Sequence, residues 1–341
     1  MWSGSRPAML HDAHGGRTVV VCGQGPAPAG ATIAHYRGHL GLDIIPGTGL
    51  LPACIPGTFE TYMLILRDFG TMSLADVLTP AIAYARNGYP LVERACAMIA
   101  TVARLFSEHW PTSAAVYLPR GRVPAPGLLF TSVRHAQTYE RILREGSGRR
   151  DRRHGTHRYH RQGRQYVHRY AIGRLAAVLP GHSRPRLAAR LEEGLPGSLV
   201  PGKRPRSTLS VGIALRDGKP YLSWGTPGGD QQDQWSCQMF LRPARLRSAA
   251  PKMNLQQAID APAWHIEHFP LSFWPRTARP GVLVLEGRVP KTTRAELERR
   301  GHRIGIGPDW SEGRLSAAAQ EGVWRKAAAN ARGMQGYAAG R

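Results

Sequence analysis

Cysteine is scarce in this chain of 341 residues, and its four copies are scattered. They are Cys22, Cys54, Cys96 and Cys237, and no two of them have the close Cys-x-x-Cys spacing that zinc sites use. A disulfide framework is a feature of short secreted chains, and this chain is long. The pattern therefore argues against a zinc site or a disulfide scaffold and predicts buried thiols in a reducing compartment.

Long apolar runs are also missing. No stretch reaches the roughly 18 consecutive apolar residues that a membrane span needs. Residues 1–6 are not followed by the apolar core of a signal peptide, so we expect a cytoplasmic protein. The chain enters almost directly on a strand-like run, Thr18–Cys22. This abrupt start predicts that the N-terminal part of a longer domain has been lost.

Acidic residues are few, and the basic surplus is uneven. The chain has 46 Lys and Arg against 23 Asp and Glu, which gives a formal net charge of +23. Residues 149–190 hold twelve Arg, five His and one acid, Asp151, so the rest of the chain carries +12. Such a surplus commonly indicates a polyanionic partner. Here nearly half of it lies in one short segment, which therefore needs its own explanation.

The sequence between residues 48 and 148 predicts mostly helices. Thr58–Phe69 is apolar on a helical period and ends at Gly70, and Ser73 is a candidate N-cap with Asp76 as its capping partner. Further helices are predicted up to Gly88, over Val92–Leu105 and from Thr138 to Glu145. Thr48–Gly57 is predicted to be a buried strand followed by a Pro-Gly turn.

A Gly-Gly turn follows the strand-like run Tyr221–Trp224. The turn reads Thr-Pro-Gly-Gly over residues 226–229. Successive backbone N–H groups in such a turn can point at one position and hold an anion or a developing oxyanion. An ordinary turn is the alternative interpretation of the same four residues.

The stretches around this turn carry a family resemblance. The order and spacing of several rare motifs resemble the small subunit of γ-glutamyltranspeptidases, which are N-terminal-nucleophile hydrolases. The stretches are residues 191–196, 201–210, 254–262 and the tail 301–337, besides the Gly-Gly turn. The resemblance covers roughly residues 15–145 and 191–341. It implies an α/β fold, an αββα N-terminal-nucleophile hydrolase sandwich, here incomplete.

The resemblance also implies a chemistry. In the family, self-cleavage exposes an N-terminal Thr whose hydroxyl attacks a γ-glutamyl carbonyl, with its own α-amine as the base. By position, Gly228 and Gly229 match the oxyanion glycines, and Ser207 and Thr208 match a pair that contacts the substrate carboxylate. Gln24 stands where the family has a carboxylate-binding Arg, and a neutral amide cannot replace a guanidinium. No cofactor and no metal are implied.

Residues 149–190 lie where the catalytic Thr belongs, yet they lack any helical or strand period. The one Thr there is Thr156. Three interpretations are a disordered insert, a basic nucleic-acid arm with interleaved tyrosines, and an out-of-frame translation. We favour the third, because codons can be chosen for 155–162 and 165–181 so that one frame shift yields two family motifs in order. These are Val-His-Ile-Asp-Ile-Ile-Asp and a stretch containing Thr-Pro-Ser-Gly-Gly-Trp.

These observations predict three parts. Residues 1–148 would be a remnant of the large subunit, 149–190 an out-of-frame and disordered segment, and 191–341 a remnant of the small subunit. We expect a relative of γ-glutamyltransferases and glutathione hydrolases, with a small γ-glutamyl substrate by family, that neither self-cleaves nor turns over. The alternative function is a basic polyanion-binding protein that uses residues 149–190, although nucleic acid is the less favoured partner.

Two smaller features are predicted to be structural. Residues 309–314 read Asp-Trp-Ser-Glu-Gly-Arg and are interpreted as a turn rather than an acid/base cluster. His265 and His268 flank Glu267, and a packed or surface His pair is favoured over a metal site. The sequence does not indicate an oligomeric state.

Overall fold

The structure, a computed structural model, describes residues 7–47, 49–146, 189–244, 253–332 and 338–339. It opens with an antiparallel hairpin of β1 (Pro7–Asp12) and β2 (Arg17–Cys22), which confirms the strand predicted at Thr18–Cys22. None of the helices in these ranges is long and apolar enough to cross a membrane. The predicted segment 149–190 lies almost wholly outside the described residues.

A helical layer follows. Its helices are α1 (Thr58–Phe69), α2 (Leu74–Asn87), α3 (Glu93–His109), α4 (Pro111–Tyr117) and α5 (Val133–Gly146). Two short strands, β3 (Tyr89–Pro90) and β4 (Leu129–Phe130), pair between them. The predicted bounds of α1 and α2 are confirmed, whereas α5 begins five residues before the predicted Thr138.

The start of α2 shows why its boundary could be read from the sequence. The Ser73 Oγ accepts a hydrogen bond from the Asp76 N–H at 3.2 Å, and Asp76 Oδ2 accepts one from the Ser73 N–H at 2.9 Å. This reciprocal capping box satisfies two N–H groups that the first helical turn leaves unpaired. Both partners lie within four residues of each other.

The strand predicted within Thr48–Gly57 is wrong. The described residues 49–57 form turns and irregular backbone, with a single bridge residue at Ala53 and no strand. Pro52 and Pro56 lack the N–H that a strand ladder needs, and the Ile55 N–H donates instead to the Pro26 carbonyl at 3.0 Å. The segment still lies inside the fold, since Cys54 is buried and its burial raises the pKa of that thiol to about 12.

The prediction that the four thiols are buried is correct for only two of them. Cys54 and Cys96 are buried, but Cys22 and Cys237 are exposed, and all four are free. Cys22 ends the edge of a two-stranded hairpin, and Cys237 faces outward from a helix. The prediction that cysteine is buried because it is apolar is therefore wrong for Cys22 and Cys237.

The second half is built on an antiparallel four-stranded sheet. Its strands are β5 (Val211–Arg216), β6 (Lys219–Gly225), β10 (Ser316–Glu321) and β11 (Trp324–Ala329), in the spatial order β11-β10-β6-β5. Helices α6 (Gln232–Ala244) and α7 (Leu255–Asp260) pack on it. The shared core includes Leu222, Trp235, Met239, Ile259 and Leu315.

A smaller sheet completes this half. It consists of β7 (Trp264–Ile266), β8 (Val282–Leu285) and β9 (Arg303–Ile306), with α8 (Lys291–Arg299) between the parallel strands β8 and β9. At its end the buried Glu286 accepts hydrogen bonds from Arg332 at 2.9 and 3.0 Å. Arg332 also donates to the Ile259 and Ala261 carbonyls at 2.7 and 3.1 Å, which fixes the C-terminal end of α7.

The two halves are joined along one strip of backbone. The Ala27 N–H donates to the Lys203 carbonyl at 2.9 Å, and the Gly202 N–H donates to the Ala27 carbonyl at 3.0 Å. An apolar cluster there combines Tyr36, Ile45 and Cys54 with Leu191 and Leu199. Residues 202–206 are therefore held against the N-terminal half, and Arg206 pairs with Asp230, five residues after the end of β6.

Candidate active site

The site is organised around the loop after β6. This loop begins with Thr226, which is buried and whose Oγ1 donates to the Pro227 carbonyl at 2.9 Å. The same oxygen accepts a hydrogen bond from the Arg314 N–H at 3.1 Å. The start of the loop is thus anchored both to itself and to the turn at residues 309–314.

Gly228 and Gly229 could not be replaced freely. A Cβ on Gly228 would lie 2.3 Å from Cζ3 of Trp235, so the ring occupies the space a side chain would need. Gly229 has φ 91, a conformation that side-chain-bearing residues rarely adopt. Among the described residues, neither glycine N–H donates a hydrogen bond. The pair thus forms two adjacent free donors of the kind that can hold an oxyanion.

Trp235 is the platform beneath this loop. The ring also lies against Gly313, where a Cβ would come within 3.2 Å of Trp235 Cγ. The ring of His265 meets it edge-on, with centroids 6.0 Å apart. Trp235 therefore contacts the Gly-Gly loop, the turn at residues 309–314 and, through His265, strand β7.

His265 lies between two carboxylates. Its Nδ1 is 2.5 Å from Glu312 Oε2, and its Nε2 is 3.3 Å from Glu267 Oε1. Burial lowers the pKa of His265, but the two carboxylates, Glu312 foremost, outweigh burial and raise that pKa above its ordinary value. Glu267 also pairs with Arg279, which is the largest cause that lowers the pKa of Glu267. His265 is therefore expected to be an imidazolium that donates to both sides.

A cavity of about 760 Å³ opens beside the loop. Asp230, the residue after Gly229, lines it and accepts a hydrogen bond from Arg206 Nη2 at 2.6 Å. Asp230 also accepts from the Ser272 N–H at 2.8 Å and from the Ser272 hydroxyl. The remaining wall is mixed: Ile44, Ile45, Leu191, Ile266, Phe269 and Leu271 are apolar, and Arg190, Glu192, Glu267 and Arg276 are charged.

The structure brings some predicted site residues together and separates others. Gly228 and Gly229 are not among the residues that line the cavity, but Asp230, which follows them, is. Ser207 is exposed, with its Oγ accepting from the Leu209 N–H at 3.1 Å, and Thr208 is half-buried. Thr156 lies outside the described residues. The site assignments for these residues therefore remain predictions.

Gln24 is engaged inside the fold. It is buried, and its Nε2 donates to the Arg206 carbonyl at 3.1 Å. Its own carbonyl accepts a hydrogen bond from Arg204 Nε at 2.9 Å. In the structure Gln24 thus positions residues 204–206, and its substrate-binding role stays a prediction.

Sequence reasoning missed that two of its minor features meet. His265 and Glu312 are 47 residues apart, and each was interpreted separately as structural. The sequence offers little to predict this contact: His265 occupies a buried position in a strand, and Glu312 is an acid in a turn. His268 is exposed, and the part of the chain that the structure describes contains no group of three or more His, Cys, Asp or Glu arranged to hold a metal.

Structural similarity defines the class of protein. The chain superimposes on cephalosporin acylase from Bacillus halodurans with a TM-score of 0.74 at 16% identity, covering 97% of this chain and 86% of that one. It superimposes on LmbA2991 with a TM-score of 0.87 at 32% identity, covering 100% and 90%. These matches confirm an α/β fold of the N-terminal-nucleophile hydrolase class.

The sequence then gives the family. The Gamma-glutamyltranspeptidase family profile matches residues 4–151 and 187–340, so the chain belongs to the γ-glutamyltranspeptidase family. A glutathione hydrolase-like proenzyme of Bacillus subtilis, YwrD, is 31% identical over 125 residues, which are 36% of this chain and 23% of that protein. The oxamate amidohydrolase proenzyme of Klebsiella pneumoniae is 33% identical over 116 residues, which are 34% and 20%. The matched stretches span less than a quarter of these relatives.

The profile match has one internal gap. It stops at residue 151 and resumes at 187, so it leaves out residues 152–186. This gap falls inside the segment 149–190 that the sequence singled out. The matches favour the enzyme family and lend no support to a polyanion-binding protein. The out-of-frame origin and the three-part division stay predictions.

Proposed function

We propose that this chain retains the acyl-binding part of a γ-glutamyl transferase or hydrolase and does not itself complete the reaction. The acyl-binding part of this proposal rests on the pair of free N–H groups at Gly228 and Gly229. Trp235 lies against Gly228, and Asp230, the residue after Gly229, lines a cavity with cationic side chains. Such a pair suits the oxygen of a carbonyl under attack.

The reaction needs a nucleophile as well as an oxyanion site. In the family's chemistry, a Thr hydroxyl adds to the acyl carbonyl, its proton passes to the Thr α-amine, and the leaving amine departs from the tetrahedral intermediate. The glycine N–H groups would donate to the negatively charged oxygen. Water or an amine then takes the acyl group from Thr, which restores the free hydroxyl.

Thr156 is a poor candidate for that nucleophile. Its α-amine becomes free only after self-cleavage, which needs the Thr on a rigid strand with its hydroxyl about 3 Å from the preceding carbonyl. The neighbours Arg153, His154, His157 and Arg158 supply no apolar face to fix such a strand. Without cleavage the nitrogen of Thr156 is an amide, and the base is missing.

The test is a purified full-length chain incubated at neutral pH, run on a denaturing gel and assayed with a chromogenic γ-glutamyl anilide. We expect one band and no release of the anilide above a heat-inactivated control. The matched variant is Thr156→Ala, which should behave identically. Two fragments that split just before Thr156, with release that Thr156→Ala abolishes, would contradict the proposal.

A second measurement addresses the origin of the defect. Sequencing the gene across codons 145–195 reads the frame directly. A one-base shift that restores a family motif around the predicted Thr position would support the out-of-frame interpretation. A shifted frame that yields no such motif would contradict it.

A further inference from the structure

The turn that runs up to Arg314 contacts the Gly-Gly loop at two points. The Arg314 N–H donates to Thr226 Oγ1 at 3.1 Å. Gly313, with φ 71, lies against the Trp235 ring near Cγ, and Gly228 lies against Cζ3 of the same ring. A shift of the turn would therefore reach the glycine N–H groups by two routes, through Thr226 and through the ring.

The Glu312 side chain connects this turn to a histidine. Glu312 is 6% exposed, and its Oε2 lies 2.5 Å from His265 Nδ1. Elsewhere in the turn, the Glu312 N–H donates to Glu286 Oε1 at 3.4 Å, and the Arg288 guanidinium lies 3.3 Å from the centroid of the Trp310 ring. The turn therefore has a backbone contact, an aromatic contact and, toward His265, a carboxylate contact.

His265 is tied to the helix that carries Trp235. The residue after His265 on β7, Ile266, is held by Gln234 of α6. The Ile266 N–H donates to Gln234 Oε1 at 2.8 Å, and Gln234 Nε2 donates to the Ile266 carbonyl at 3.1 Å. Gln234 immediately precedes Trp235, whose ring meets the His265 ring edge-on. The histidine and the aromatic ring thus form one unit, to which Glu312 fastens the turn.

These contacts form a closed circuit. From the Gly-Gly loop it passes to the turn through the hydrogen bond of Arg314 with Thr226. It passes on to β7 through Glu312 and His265, and Trp235 returns it to the loop. In a closed circuit each contact limits the movement that the others would allow. Opening the circuit at Glu312 would therefore loosen the loop without changing any residue of the loop itself.

A carboxylate at this position does more than fill space. A buried carboxylate costs free energy unless it is paired and hydrogen-bonded, so an apolar side chain would fill the same volume at lower cost. A carboxylate that faces Nδ1 also keeps a proton on that nitrogen and thereby fixes the orientation of the imidazole ring. Glu312 is therefore suited to hold the His265 ring in one orientation against Trp235.

We propose that Glu312 is a positioning residue for the oxyanion donors, and that its hydrogen bond with His265 closes the circuit that keeps the Gly228 and Gly229 N–H groups in a fixed orientation. This inference rests on the proposed acyl-binding function. Glu312 does not line the cavity and acts through the loop. Donors that are already oriented need no rearrangement when charge develops on an oxygen, which is how such groups stabilise it.

The test is measurement of backbone ¹⁵N order parameters by NMR on the full-length chain without ligand. We expect values of about 0.85 at Gly228 and Gly229 in wild type, as in rigid backbone, and below about 0.6 in Glu312→Leu, as in a flexible loop. Glu312→Gln should keep the wild-type values, because its amide oxygen still accepts from Nδ1. Leu and Gln are similar in size, so a role in packing alone would predict no difference between these two variants.

The matched control is Glu298→Leu, which removes an exposed carboxylate from α8 and should leave both order parameters unchanged. Thermal melting checks that each variant folds. If Glu312→Leu does not fold, Glu312→Asp decides the matter, because it keeps the charge, shortens the reach by a methylene group and should also lower the order parameters.

Three results would each overturn the proposal. The first is order parameters below about 0.6 at the two glycines in wild type, since the loop would then not be held at all. The second is unchanged values in a folded Glu312→Leu chain or, if that variant does not fold, in Glu312→Asp. The third is a Glu312→Gln chain whose glycines are as mobile as those of Glu312→Leu.

The outcome is separable from that of the proposed function. The order parameters are measured without substrate, so they depend neither on self-cleavage nor on turnover in the anilide assay. An active chain whose glycines are rigid in wild type and mobile in Glu312→Leu would contradict the proposed function and support this inference. An inactive chain with equally rigid glycines in both would do the reverse.

Discussion

The helical layer of residues 49–146 and the sheet region of residues 189–332 are stabilised in different ways. In the first, several polar contacts join near neighbours, such as Ser73 with Asp76 and Arg104 with Glu108 at 2.7 Å, although the ion pair of Arg86 with Glu140 joins α2 to α5 across 54 residues. In the second, exposed pairs such as Arg299 with Glu296 are also local, but the buried contacts join distant residues: His265 with Glu312, and Glu286 with Arg332, 46 residues apart. The first kind can be read from a sequence window, and the second exists only once the fold has formed.

The two regions should also differ in how much each contact contributes. An exposed ion pair such as Arg104 with Glu108 typically contributes under about 1 kcal/mol, since water already solvates both charges. A buried pair contributes little by its presence, but losing one partner is costly, because the other charge stays buried without compensation. Mutations in the two regions therefore provide a direct comparison.

The largest effect is expected for Arg332→Met. The Arg332 side chain is 1% exposed and its partner Glu286 is 0% exposed. Removing the guanidinium therefore leaves a buried carboxylate with Arg288 as its remaining partner. We expect a loss of about 3–5 kcal/mol in the free energy of unfolding, measured by urea denaturation.

Two variants control this experiment. Arg325→Gln removes an exposed Arg and should change stability by less than about 0.5 kcal/mol. The double variant Glu286→Leu with Arg332→Met removes both charges and should recover part of the loss. An Arg332→Met chain as stable as wild type would show that the buried pair does not stabilise the sheet region as argued.

The next largest effect is expected at the loop itself. Gly228→Ala would bring a methyl group to 2.3 Å from the Trp235 ring, and relieving that overlap should cost about 1–3 kcal/mol. Gly225→Ala is the matched control three residues earlier, because its nearest neighbour would be Val211 Cγ1 at 3.9 Å. Equal stability of the two variants would mean that Trp235 does not constrain the loop.

The difference between the regions explains what the sequence could predict. The bounds of α1 and the capping box of α2 follow from local apolar spacing and from Ser73, and both were predicted correctly. The Gly-Gly turn was found because its four residues are contiguous. The roles of His265 and Arg332 were missed, because their partners are set by strand pairing and loop packing across dozens of residues.

A smaller effect is expected at the cap of α2. Ser73→Ala removes the side chain that accepts from Asp76, which should cost about 1 kcal/mol. Ser107→Ala, on an exposed face inside α3, is the control and should be neutral or slightly stabilising, since Ala favours helix. If both substitutions had the same sign and size, the capping box would not contribute to the stability of the helical layer.

The last prediction concerns the pH dependence of the sheet region. Burial acts to lower the pKa of His265, but Glu312 and Glu267 raise it overall, so the folded pKa exceeds that of the unfolded chain, about 6.5. The stabilisation from the imidazolium is therefore fully present below the unfolded pKa and is lost as pH rises through the folded value. A histidine buried in its neutral form would instead make the folded state more stable as pH rises.

The measurement is the urea midpoint as a function of pH from slightly acid to slightly alkaline conditions. Wild type should lose stability as pH rises, and His265→Gln should show a flatter dependence, because a neutral amide does not titrate. His268→Gln, three residues away and exposed, should keep the wild-type slope. An unchanged slope in His265→Gln would mean that the histidine between Glu312 and Glu267 is not the imidazolium that the geometry indicates.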